Sequence, residues 1–212
     1  MSIKESNTVN YVTNTMVLPR TPGLGFKIGQ WSDTGEDVSA FGWRDITGPI
    51  VVKGVGAADP SWSQVGSGPF FCYAFALNDE CWIPFHIPHD IVPNAPIHIH
   101  THWFPSGTNT AVVKWQYTYT YAKGFNQGAY TAAGTVITAQ EAGPGIAYQN
   151  MVTETAAITI DGLSEPDGIL YLHMKRVTNG GTNNTDTIFV TTADIHYQTT
   201  GMATIGKAPG FY

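Results

Sequence analysis

Pro96-Ile-His-Ile-His-Thr-His-Trp103 is the stretch from which the fold is read. At a period of two, Ile97, Ile99, Thr101 and Trp103 fall on one side and His98, His100 and His102 on the other. β-Branched and aromatic residues suit a pleated, half-buried surface, so the alternation predicts a strand with one apolar and one titratable face. Beyond the turn signal Pro105-Ser-Gly107, residues 112–121 repeat the pattern. Val113, Trp115, Tyr117, Tyr119 and Tyr121 share one face; Lys114, Gln116, Thr118 and Thr120 lie on the other. Both runs are expected in the middle of one sheet, with further strands added around them. The aromatic ladder is read as inter-sheet core with Tyr hydroxyls at the rim, a carbohydrate-stacking platform being the alternative.

Working outward, residues 26–31 alternate before Ser32-Asp-Thr-Gly35, and Trp43-Arg-Asp-Ile46 leads through Gly48-Pro49 into Ile50-Val-Val-Lys53. Asp59-Pro-Ser-Trp62 reads as a loop. Residues 70–77 and 81–85 are expected as hairpin partners across Asn78-Asp-Glu80. Pro84, Pro88, Pro93 and Pro96 exclude a helix or a central strand between them. Downstream, residues 134–141, 153–160, 169–174 and 188–197 read as strands, and 123–128 as a loop that presents Phe125. No window places apolar residues at helical spacing. Short strands separated by turn signals make an all-β chain, and long irregular connections favour a Greek-key jelly roll over an up-and-down barrel. The expected organisation is a single jelly-roll-like β-sandwich over residues 26–200, with an extended N-terminal arm at 1–25 and a C-terminal tail at 201–212.

A chain of 212 residues fits one undivided β domain with a core that needs neither metal nor disulfide. Charged residues make up 12%, about half the usual share, while 42% hydrophobic residues exclude a disordered chain. A weakly charged, hydroxyl-rich surface suits burial in an assembly. The net charge is −6 and no basic cluster occurs, which argues against nucleic acid as a partner. No apolar run reaches the length of a membrane span, and no signal-peptide core opens the chain, so no membrane partner is expected. Cys72 and Cys81 are either two isolated buried thiols, the commoner case, or a pair across a hairpin.

His98, His100 and His102 stand about 7 Å apart on one strand face, close enough for two of them to share a zinc or iron ion if a third ligand arrives. His86, His89 and Asp90 lie just upstream as suppliers. The pattern resembles half of the cupin signature, His-x-His followed by Glu. Here Pro105, Ser106 and Gly107 occupy those positions, and no acid follows before Lys114. Three hydrogen-bonded imidazoles in a polar layer are therefore expected, with no metal and no cofactor. Neither a Gly-x-Ser-x-Gly elbow nor an electropositive cysteine nor a phosphate cradle occurs. The carboxylates Asp79-Glu80 and Glu165/Asp167 fall in turns, where such groups are commonly solvated. No catalytic residue is assigned, and a non-enzyme is expected.

Several strings carry a family resemblance: Trp43-Arg-Asp-Ile-Thr-Gly-Pro-Ile50, Phe85-His-Ile-Pro-His-Asp90, Ile97 to Trp103, Tyr119-Thr-Tyr-Ala-Lys-Gly124, Glu165-Pro-Asp-Gly168, Asp194-Ile-His-Tyr-Gln198 and Lys207-Ala-Pro-Gly-Phe-Tyr212. Over residues 40–212 the chain is similar to a family of small proteins encoded among the virion genes of tailed phages and prophages. The resemblance implies a capsid cement or decoration protein with a jelly-roll body, a homotrimer that clamps major capsid subunits on the outer surface of the phage head after assembly in the host cytoplasm. Expected interface residues are Tyr11, Val17 and Leu18 in the arm, Phe125 in its loop, and Phe211 and Tyr212 at the end; a frayed tail is the other reading of the arm. Two other function classes are a glycan-binding module of a tail or head fibre and a cupin-like metalloenzyme on the histidine row.

Overall fold

Alternation of buried and exposed side chains, the periodicity that the sequence carries, runs through the longest strands of the computed structural model. It describes residues 42–54, 58–201, 203–204 and 206–211, together with the backbone of 29–31 and 37–39. The chain falls into two units, residues 1–40 and 41–212. In the first, β1 (Gly29–Trp31) pairs antiparallel with β2 (Asp37–Ser39). The expected arm at 1–25, with Tyr11, Val17 and Leu18, lies outside the described residues, as does Tyr212.

The second unit contains β3 (Gly42–Gly48), β4 (Ser61–Gln64), β5 (Phe71–Phe75), β6 (Glu80–His86), β7 (His98–Pro105), β8 (Val112–Ala122), β9 (Thr135–Ala142), β10 (Met151–Glu154), β11 (Ile169–Val177) and β12 (Ile188–Thr199). One sheet, the front, has the order β10-β7-β12-β5-β4, with β3 also on β12; the back sheet has the order β6-β11-β8-β9. All strand pairings are antiparallel, and no helix occurs among the described residues. The protein is an all-β, jelly-roll-type sandwich, as the alternation predicts.

Between the sheets, Ile99, Thr101 and Trp103 of β7 and Ile188, Val190, Ala193 and Ile195 of β12 face Cys81, Ile83 and Phe85 of β6, Val113, Trp115 and Tyr117 of β8, and Leu170, Leu172 and Met174 of β11. The Thr101 and Tyr117 hydroxyls hydrogen-bond across the gap at 2.7 Å, and Trp103 Nε1 donates to Thr153 Oγ1 at 2.8 Å, so these polar atoms are paired within the core. The aromatic ladder of β8 is core at Trp115 and Tyr117, with Tyr119 and Tyr121 partly buried at its rim.

Two strand relationships differ from expectation. β7 and β8 lie in different sheets, each inside its own. β5 and β6 are likewise split: β5 pairs with β4 and β12 in front, β6 with β11 behind. The four residues between them form a crossover in which Asn78 adopts φ 77° and Asp79 Oδ2 accepts the Ala76 N–H. Alternation marks which side chains face the core but not which sheet a strand joins, and a short polar turn serves a hairpin and a crossover equally. Asp59-Pro-Ser-Trp62 also differs, because Ser61 and Trp62 open the edge strand β4.

β12 organises the front sheet. Its first three residues pair with β5, the register shifts at Thr191, and residues 193–199 pair with β3 along the same edge. β7 covers the opposite edge from Ile188 to His196 and is in turn covered by β10. β3, β12, β7 and β10 thus lie side by side beneath the histidine row.

Candidate functional site

Register alone assembles the outer face of the front sheet. Thr47, Asp194, His100 and Glu154 are consecutive cross-strand partners in one row, and Asp45, His196 and His98 form the next. Residues directly opposite on antiparallel strands share a face, so four imidazoles (His102 included) and three carboxylates converge there. His100 Nε2 contacts Glu154, and His196 Nε2 contacts Asp45. The His100 and His196 rings lie 3.5 Å apart, centroid to centroid. His98 donates Nδ1–H to the Thr155 carbonyl at 3.0 Å and meets the edge of Trp43. An outward sheet face is ordinarily wet. Here the side chains of His100 and Asp194 are each only 6% exposed.

Asp194 is the unusual member. Its Oδ1 is buried without a hydrogen-bond partner, and His102 Nε2 lies 3.2 Å away but without hydrogen-bond geometry. Burial pushes its carboxyl above the ordinary carboxylate range, against the opposing pull of His102 and His100.

The suppliers expected from upstream are engaged elsewhere. Asp90 accepts hydrogen bonds from Arg44, Tyr197 and Thr199 at 2.6, 2.9 and 2.7 Å. His86 pairs with Asp167 at 2.8 Å and His89 with Thr204 at 2.6 Å. The acids that join the histidine row come instead from β3, β10 and β12. Turn carboxylates also differ from expectation: Asp79 is buried, and Glu80 is held below the ordinary range chiefly by Lys53, which donates to it at 2.6 Å, with His173 on its other oxygen. Phe211 is buried in its own body against His89 and Phe125, whereas Phe125 is 47% exposed. Cys72 and Cys81 are free thiols on different sheets, and burial pushes both pKa values up.

A second surface lies at the β4–β5 edge. Trp62 and Tyr73 are cross-strand partners with ring centroids 4.9 Å apart, and Phe71 stacks on Trp62 at 6.4 Å. Trp62 is 62% and Phe70 72% exposed. A cleft of about 400 Å³ beside Trp62 is lined by Asp59, Ser61 and Tyr73 among others. The sequence signal was the adjacent pair Phe70-Phe71 in a run expected as a strand, where neighbours cannot both face the core; Phe70 lies just before β5 and both rings are exposed.

No protein-family model and no curated protein matches the chain. Among solved structures, CBM35 from Cellvibrio japonicus Abf62 aligns with 74% of this chain and 98% of its own, at 7% identity and a TM-score of 0.39. A carbohydrate-binding module, CBM36, in complex with calcium and xylotriose aligns over 72% and 97%, at 16% identity and 0.35. A structure of infectious bursal disease virus, Gt strain, covers 91% of this chain and is covered over 41% of its own, at 14% identity and 0.34.

Proposed function

We propose that this chain is a non-catalytic structural protein of a tailed-phage virion, a cement or decoration protein that clamps neighbouring major capsid subunits as a homotrimer on the outer surface of the head. The observation that carries the proposal is the exposed aromatic edge formed by Trp62, Phe70, Phe71 and Tyr73. Large exposed apolar patches on a weakly charged surface mark protein–protein contact, and aromatic residues are enriched at such contacts. The resemblance of residues 40–212 to phage virion proteins supplies the setting. Clamping needs no reaction: three copies joined in one trimer hold three capsid contacts, and a detached contact re-forms at high effective concentration.

The test is a triple variant, Trp62→Ser, Phe70→Ser and Phe71→Ser, sedimented with expanded capsids of the encoding phage and sized by light scattering. Loss of co-sedimentation with unchanged far-UV circular dichroism is the expected result. Retained binding at wild-type level refutes the assignment of this edge, and a monomer at capsid-binding concentrations refutes the trimer.

A second reading rests on the cleft itself. An exposed indole beside a carboxylate and a hydroxyl is suited to stacking on a sugar ring while bonding its hydroxyls. A glycan array on the wild-type protein separates the two: a saturable glycan signal abolished by Trp62→Ala favours recognition over clamping.

A further inference from the structure

We infer that the outer face of the front sheet binds one divalent transition-metal ion of the zinc class, held by His100, His196 and Glu154. The inference is independent of the clamping role proposed above. Its geometric basis is a set of three ligand atoms, one from each residue, all within 4.8 Å of one another, from three strands fixed by cross-strand pairing. Two further groups share members with it, His100 with His102 and Asp194, and Asp45 with Asp194 and His196.

A cluster of hydrogen-bonded ion pairs is the alternative, and Asp194 weighs against it. A carboxylate oxygen buried without a hydrogen bond costs free energy unless a proton or a cation neutralises it. Asp194 lies in both flanking groups, beside both histidine ligands, so an ion at the central set places positive charge next to that oxygen. The donor set chooses the class of metal. Imidazole nitrogens with one carboxylate favour zinc and its first-row neighbours over calcium or magnesium, which prefer all-oxygen shells. His98, its Nδ1–H committed to the Thr155 carbonyl, and Asp45, beside His196, flank the set as the outer partners that orient such ligands. The Glu154 side chain is 48% exposed, so the ion is reachable from outside and one coordination position remains open to water or to a neighbouring chain's ligand.

The full-length chain, stripped with chelator and dialysed, is titrated with Zn²⁺ alone against a chromophoric competitor, and with Co²⁺ followed by visible absorption. One equivalent per chain and a ligand-field band are expected. Zn²⁺ at about 100 times its Kd should raise Tm by roughly 5–10 °C. Glu154→Gln, at a half-exposed position with no packing role, should weaken binding at least about 10-fold, and His196→Ala more. His86→Ala, in the distant pair with Asp167, should bind like wild type. If wild type retains no zinc and shows no cobalt band, the inference fails. It fails equally if the folded Glu154→Gln protein binds with wild-type affinity, because the ion would then sit elsewhere. Should His196→Ala not fold, the Glu154→Gln titration decides alone.

Discussion

Arg176 occupies an inward position at the end of β11, where alternation with Leu170, Leu172 and Met174 calls for an apolar residue. Its guanidinium donates through Nη1 to the Phe75 carbonyl and through Nη2 to the Asn184 carbonyl, both at 2.6 Å, which ties the back sheet to β5 of the front sheet and to the loop before β12. Replacing it by Met keeps the length of the stem but removes both donors. Hydrogen bonds from a charged group contribute about 1.5–3 kcal/mol each, so the gross loss is roughly 3–6 kcal/mol. Part is offset, because burial disfavours the cation, as the lowered pKa of Arg176 indicates. A net loss of about 3 kcal/mol lowers Tm by roughly 6–12 °C for a domain of this size. Thermal unfolding followed by circular dichroism, with urea unfolding as a second probe, measures it. Arg176→Lys keeps the charge but not the fork that reaches two carbonyls on separate segments, and should fall between the two. Adding Asp79→Asn to Arg176→Met should recover part of the loss, since Asp79 otherwise loses its nearby cation. A folded Arg176→Met protein within about 2 °C of wild type would refute the reasoning, showing that packing rather than the carbonyl ties closes this end of the sandwich.

Alkaline pH should destabilise the fold in a defined window. Burial pushes Tyr121 and Tyr197 up to about 12, and Tyr117 higher still, against an unfolded value of about 10. Their contribution is therefore complete below pH 10 and lost as pH rises from about 10 to 12; a Tm that stays flat across that window contradicts it. Ellman titration should find slow reaction at Cys72 in the native protein and reaction at Cys81 only after unfolding; rapid native reaction of both would contradict the burial of Cys81. Gly143→Ala should cost about 1–3 kcal/mol in urea unfolding, because its Cβ would lie 2.0 Å from the Asn109 carbonyl oxygen and 2.6 Å from the Asn184 amide that bridges Asn109 and Ala111.

Strand positions and core faces were legible because a period of two survives in β7, β8, β11 and the second half of β12 whatever their partners are. Pairing was not. Residues 70–86 offer two good strands and a polar turn, and the sequence holds nothing local that distinguishes a hairpin from a crossover between sheets. The decision is made by distant partners: Tyr73 to Phe75 pair with residues 188–190, and residues 80–86 with 169–175. β4 was hidden for a related reason, since a four-residue edge strand beginning after Asp59-Pro60 carries turn chemistry and only a single aromatic to mark it.

The histidine face shows the same limit more sharply. Its imidazole half is visible in seven consecutive residues, and a search for its acid within that stretch correctly finds none. Glu154 comes from a four-residue strand whose outward positions look like any solvated edge, and Asp45 from a strand that is mostly exposed. Asp194-Ile-His196 did carry a signal, an acid and a histidine two residues apart that alternate with Ala193, Ile195 and Tyr197, which puts two titratable groups on the face of the strand opposite the core. Its meaning depends on a register no local pattern specifies: a shift of β12 by one residue against β7 would turn Asp194 and His196 into the sandwich. The shift between Val190 and Thr192 prevents that outcome, because the extra residue lets Val190 face the core opposite Trp103 while Thr192, Asp194 and His196 all face outward beside the three histidines of β7. Thr191 is the residue that the bulge absorbs, and its deletion should leave a regular strand in which Val190 still faces the core opposite Trp103 while Thr192, Asp194 and His196 still face outward beside β7.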